Sequence, residues 1–166
     1  LKLEENEMGA IAEDDICMGI FHSSNPLDNS LVDSDDGYGT FKFSGFYTCY
    51  FRITSVNGNK NETFTYALRS GYRKHPSVAM TFACYGNFTN TSRQSCAYYT
   101  RTYQRWLVNV NTWEFTNDNI AAQFGDLSNL IVSNTQLSGY SAYLNNIYFT
   151  GRIQGIADSR YYMEID

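Results

Sequence analysis

The chain is expected to be all-β: a small barrel or sandwich of short antiparallel strands, with a C-terminal strand-and-turn segment rich in Gly, Tyr and Asn. Three observations predict this. Aromatic residues make up 16% of the sequence and charged residues only 17%, and Tyr and Phe among abundant Thr, Ser, Asn and Gly are strand and turn formers. Apolar and polar residues alternate with a period of two through residues 40–56 and 63–68, which sorts them onto the two faces of a pleated strand. No segment repeats its apolar residues at the three-and-four spacing of an amphipathic helix. With 166 residues and 43% apolar content, the chain is long enough for one domain with a real core, or for a domain with an appended segment.

Residues 1–14 are acidic and aperiodic and are expected to form an N-terminal arm. A β domain is expected over 15–119. Its first strand is Asp15-Ile16-Cys17-Met18-Gly19-Ile20-Phe21-His22. Residues 23–39, with Asn25-Pro26 and Asp33-Ser34-Asp35-Asp36-Gly37, read as a long polar loop. In the next strand Phe41 and Phe43 alternate with polar neighbours. Gly45 then serves as a bulge or bend, after which Tyr47, Cys49, Phe51 and Ile53 oppose Thr48, Arg52 and Thr54. Asn57-Gly58 is the strongest short hairpin signal, and Phe64, Tyr66 and Leu68 form the returning strand. A turn over 70–76 leads to an inward row of Val78, Met80, Phe82 and Cys84, and further strands are expected over about 94–103 and 106–116. Residues 120–166 contain short apolar pieces separated by Gly, Ser and Asn. They look too thin for a core of their own, so burial between copies of the chain is expected.

Charge and spacing exclude several functions. A formal net charge of -5 argues against a nucleic-acid surface, which depends on clustered Lys and Arg. No apolar run approaches the ~18 residues that span a bilayer, so no membrane insertion is expected. The start, Leu1-Lys2-Leu3-Glu4-Glu5-Asn6-Glu7, is polar and acidic rather than leader-like and is expected to be a fragment boundary. Cys17, Cys49, Cys84 and Cys96 permit two disulfides arithmetically. Their wide spacing, without a Cys-x-x-Cys pair, gives a zinc site little support, and Cys49 and Cys84 read as free core thiols. No cofactor is expected.

Catalytic constellations fail simple tests. A Ser or Cys nucleophile needs a base within hydrogen-bond reach, and the two histidines, His22 and His75, fall at a strand end and before a proline, where surface or capping roles fit better. The acidic residues lie mostly in the arm and the 28–36 loop instead of facing each other as glycoside hydrolysis requires. Asp33, Asp35 and Asp36 offer oxygen ligands to calcium but lack the full loop spacing and a closing Glu. Glycosylation acceptor patterns stand at Asn61, Asn87 and Asn90. Tyr98, Tyr99, Arg101, Tyr103 and Trp106 form a polar-aromatic stretch, with Arg105, that would suit stacking on a glycan. Core filling and a subunit interface are the plainer expectation for them.

Gly86-Asn87-Phe88-Thr89-Asn90-Thr91-Ser92-Arg93-Gln94 resembles a Gly-Asn-x-Thr-(Asp or Asn)-x-x-Arg-Gln segment of tail proteins from phages and prophages of gut bacteria. In those proteins it follows a β domain with a run like Phe51-Arg52-Ile53-Thr54-Ser55-Val56. The stretch from Phe124-Gly125-Asp126-Leu127 through Gly139-Tyr140-Ser141-Ala142-Tyr143-Leu144-Asn145-Asn146-Ile147-Tyr148-Phe149-Thr150-Gly151 is similar to the G-Y-x-x-Y-x-x-N-x-Y-x-x-G segment of the same tail fibres. The matches touch roughly residues 40–155, and one copy of the fibre motif is present.

The resemblance implies a non-enzymatic structural or receptor-binding module of a tail tip or fibre, located on the virion and assembled in the bacterial cytoplasm. Its implied partners are copies of itself, as a trimer, other tail proteins and a host surface glycan. From the residues themselves, Asn87, Thr89, Arg93 and Gln94 are expected to lock a loop, Arg93 and Gln94 bonding its carbonyls. On that footing Arg93→Ala costs about 1–2 kcal/mol. The alternative is a lectin-like or glycan-active bacterial surface domain, which needs an aromatic cleft with converging carboxylates or an ion near Asp33–Asp36.

Overall fold

A computed structural model describes residues 1–3, 11–22, 40–41, 46–58, 62–72, 75–76, 80–148 and 150. The expected Asp33–Asp36 ion loop, the Gly45 bulge, Val78 and the Asn61 acceptor lie outside them. The chain is all-β, with antiparallel strands in two larger sheets and a separate two-stranded hairpin, and only short 3-10 turns besides, among the described residues.

The first sheet is centred on β1 (Asp15–His22) and β3 (Phe46–Asn57). β1 runs between β3 and β5 (Thr81–Asn87), so consecutive residues Ile16 and Cys17 are both buried, as in a strand covered on both faces. β3 carries the expected alternation, with Cys49, Phe51 and Ile53 buried. The Asn57-Gly58 hairpin returns as β4 (Thr63–Leu68), and Gly58 takes the left-handed φ of 99° that its turn demands. β2 (Thr40–Phe41) also pairs with β3. Phe51 is the hub of this sheet's core, 5.4 Å from the Phe82 ring and 6.2 Å from that of Phe64. Parts of the expected N-terminal arm belong to this unit: Lys2 bridges to Thr63, Leu3 N–H donates to the Glu62 carbonyl at 2.7 Å, and Ile11 is buried in the core.

The second sheet runs in the order β6 (Cys96–Tyr99), β7 (Tyr103–Leu107), β8 (Ile120–Asp126), β11 (Tyr140–Leu144). Here the strand limits differ from those expected. The chain turns at 100–102, where Thr100 Oγ1 accepts from the Tyr103 N–H at 3.1 Å and Thr100 N–H donates to the Tyr103 carbonyl at 2.8 Å. Residues 108–116 are irregular, and Asn109 with φ 57° turns the chain out of strand geometry. A hairpin of β9 (Ile131–Val132) and β10 (Thr135–Gln136) sits between β8 and β11, its turn residues Ser133 and Asn134 both at positive φ.

β7 and β8 pair across the boundary expected between 119 and 120. The last quarter also contributes to a core: Ile120 and Leu130 are buried with Leu107 and Val110, and Val132, Leu137 and Tyr143 pack on them. The segment expected to be too thin for a core of its own shares one within the chain: β8 and its hairpin close over the same apolar cluster as β7. Tyr85, from the first sheet, also packs on this second core.

Candidate functional site

The two sheets meet at a polar junction built on Asn87, at the end of β5. Its side chain is buried and fully used. Oδ1 accepts from the N–H groups of Thr89 (2.9 Å) and Asn90 (2.7 Å), while Nδ2 donates to Asp15 Oδ1 and the Glu13 carbonyl, both at 2.9 Å. This is the Asx-turn chemistry that Asn favours. Asn90 then caps a 3-10 turn, Thr91–Arg93, by accepting from the Ser92 N–H at 3.0 Å. That turn aims Arg93 back at β1, where Nε donates to Asp15 Oδ1 at 2.8 Å and Nη2 to Oδ2 at 2.6 Å.

Asp15 is 1% exposed, so this is a bidentate bond to a buried carboxylate. The bond to Asp15 raises the Arg93 guanidinium above its ordinary value. Gln94 Nε2 donates to the Asn87 carbonyl at 2.8 Å. Arg93 reaches the Asp15 carboxylate, where a loop carbonyl was expected. Next door, Asp14 accepts from Arg52 Nε at 2.7 Å and from Thr89 Oγ1 at 2.9 Å. The main chain completes the joint: Asn87 N–H donates to the Val110 carbonyl at 3.0 Å, and Val110 N–H to the Gln94 carbonyl at 2.9 Å. Every oxygen of the adjacent Asp14 and Asp15 carboxyls thus holds a donor, which suits a structural lock better than proton transfer. The buried, engaged amide of Asn87 also makes its acceptor pattern unavailable in the folded chain.

Asp14, Asp15 and Arg52 were missed by sequence reasoning. Asp14 fell within the acidic arm and Asp15 within the first strand. Their partners lie 38 and 78 residues away, and no local pattern signals such a pairing.

The polar-aromatic stretch divides between two faces of the second sheet. Inward, Arg105 is buried. Its Nε donates to Gln123 Oε1 at 2.7 Å, Nη1 to Tyr98 Oη at 2.9 Å and Nη2 to Asn129 Oδ1 at 3.1 Å. The guanidinium also lies 4.7 Å from the Tyr103 ring centre. Gln123 Nε2 bonds Asn129 Oδ1 at 2.8 Å and the Asp126 carbonyl at 2.7 Å, so the network closes on itself.

Outward, Tyr99 and Trp106 are exposed, and Arg101 is exposed in the turn between β6 and β7. The five residues considered for glycan contact are therefore not one surface. The alternation of neighbours carried this signal: Tyr98 and Tyr99 must point to opposite faces of a strand. Across the outer face, Ala97, Trp106, Ala122 and Leu144 form one cross-strand row, and Tyr99, Gln104, Phe124 and Ala142 the next. Tyr99 is 72% exposed, Trp106 56%, Phe124 42% and Tyr140 75%. A shallow hollow of about 290 Å³ beside Trp106 is lined by Ala97, Leu107, Val108 and Ala121 among others. Asp126, at the end of these rows, accepts from the Ser128 N–H at 2.9 Å, a bond that lowers its carboxyl pKa.

Among the described residues no group of three or more His, Cys, Asp or Glu side chains is placed to hold a metal ion. Among the same residues no helix is long and apolar enough to cross a membrane. Fold and site together define an antiparallel β protein whose two larger sheets meet at a locked polar junction and whose second sheet presents an open aromatic face. No protein-family model, curated protein or solved structure matches the chain.

Proposed function

We propose that this chain is a non-enzymatic structural or receptor-binding module of a phage or prophage tail, and that it assembles with copies of itself through the outer face of the second sheet. One observation carries the reading: the exposed Tyr99, Trp106, Phe124, Tyr140 and Leu144, spread over neighbouring cross-strand rows of the same face on four strands. Contiguous exposed apolar faces mark interaction sites, and interface centres are rich in Tyr, Trp and Phe and poor in charge. The two central cross-strand rows carry no Lys, Arg, Asp or Glu, and Asp126 stands at their end opposite Tyr140, so the middle of the face is apolar and uncharged, as a symmetric contact between copies needs. The fibre-like residues 139–151 include β11, the edge strand of this sheet, and Ile147 and Tyr148 shortly after it are exposed. The resemblance in the sequence supplies the biological setting.

Light scattering at several concentrations tests the assembly. The wild type is expected as an oligomer, in trimeric form if the fibre reading holds. Trp106→Glu is expected to be monomeric with an unchanged circular-dichroism spectrum. A concentration-independent wild-type monomer would overturn self-assembly. If that monomer also bound glycans, and Tyr99→Ala abolished binding, the lectin-like reading would replace it.

A further inference from the structure

We infer that Cys17 and Cys84 form a cross-strand disulfide wherever the surroundings are oxidising, a covalent closure of the first sheet that the proposed function does not require. The two residues are direct partners in the antiparallel pairing of β1 and β5, and their Sγ atoms lie 3.0 Å apart. A covalent bond of about 2.05 Å is then roughly 1 Å away. The approach has a structural cause. Register shifts between Ile16 and Cys17: Ile16 faces Gly86 while Cys17 faces Cys84, which leaves Tyr85 as an extra residue in β5. Bulges of this kind re-aim a side chain and increase local twist. Here Tyr85 goes to the second core while Cys84 is turned toward Cys17.

The pairing is also selective. Four cysteines allow three two-disulfide connectivities, but Cys49 Sγ is engaged with Met80 Sδ at 3.4 Å and Cys96 belongs to the second core. The crosslink joins positions 67 residues apart and encloses β2, β3 and β4, closing on β1 and β5. In the chain-entropy account a loop of this size restrains the unfolded state strongly. The mutual hydrogen bond and burial raise the Cys17 thiol well above its ordinary ionisation range. Cys17 is accordingly slow to react with an outside reagent, which leaves the half-buried Cys84 as the point of entry.

The chemistry balances with a small-molecule disulfide as oxidant. The half-buried Cys84, as thiolate, attacks the reagent and releases one thiol. Cys17 then gives up its proton and attacks Sγ of Cys84 in the mixed disulfide, forming the intramolecular S–S bond and releasing the second thiol. Two protein thiols are oxidised and one reagent disulfide is reduced to two thiols.

The test is incubation of the purified full chain with oxidised glutathione or with dithiothreitol, then denaturing alkylation, intact mass and peptide mapping. The expected result is a Cys17–Cys84 peptide, loss of two alkylation sites, and a Tm about 10 °C higher for the oxidised form. Cys84→Ser is expected to remove the Tm difference, and Cys49→Ala to retain it. Four alkylated thiols after oxidation, a stable glutathione adduct on Cys84, or a bridge involving Cys49 or Cys96 would each overturn the inference.

Discussion

At the scale of single residues, the joint between the sheets rests on charge placed where water is excluded. Breaking a buried ion pair by removing one partner leaves an uncompensated charge, a loss of about 3–5 kcal/mol. Arg93 is partly exposed, its side chain at 31%, and water can replace some of what it gives Asp15. Arg93→Ala is therefore expected to destabilise the protein by about 3 kcal/mol, more than bonds to loop carbonyls would predict. Urea denaturation measures this. A midpoint equal to wild type would show that Asp15 finds other donors. Asn87 repeats the lesson without a charge, since its Oδ1 and Nδ2 serve the turn and β1 together.

At the scale of elements, β5 is the strand that both units share. Phe82 and Cys84 pack on the first core, Tyr85 on the second, and Gly86 lets the Val110 backbone approach. A Cβ at Gly86 would overlap the Val110 carbonyl oxygen, which is held by its bond from Asn87 N–H. Neither can retreat without breaking the joint. Gly86→Ala is expected to cost about 2 kcal/mol in urea denaturation, and a midpoint equal to wild type would contradict this coupling. Register shifts likewise shape β7 and β8, where a shift between Trp106 and Leu107 accompanies the hollow beside Trp106.

At the scale of the whole molecule, both cores bury groups that resist ionisation. Burial pushes the Cys49 thiol from its ordinary 9.0 up to about 11. Cys96, Tyr66 and Tyr85 are raised for the same reason. Above pH 9.0 the unfolded chain releases protons that the folded chain retains, so the slope of unfolding free energy with pH is negative. Stability is expected to be complete below that pH and to fall as pH rises toward about 11. Thermal melts across this range, under reducing conditions, measure the fall. Cys49→Val should reduce its slope, and an unchanged slope would assign the effect to the other buried groups.

The sequence by itself determined the all-β class, the first strand, the Asn57-Gly58 hairpin and the inward rows of Cys49, Phe51 and Ile53, because alternation and turn chemistry act between neighbours. It also held the division of Tyr98 from Tyr99, which strict alternation implies. Tertiary structure alone decided that Arg93 meets Asp15, that Cys17 meets Cys84, and that the last quarter shares a core with β7. It decided as well which face of the second sheet stays uncovered. These depend on register between strands far apart in the chain, and a period of two carries no information about which strand lies beside which.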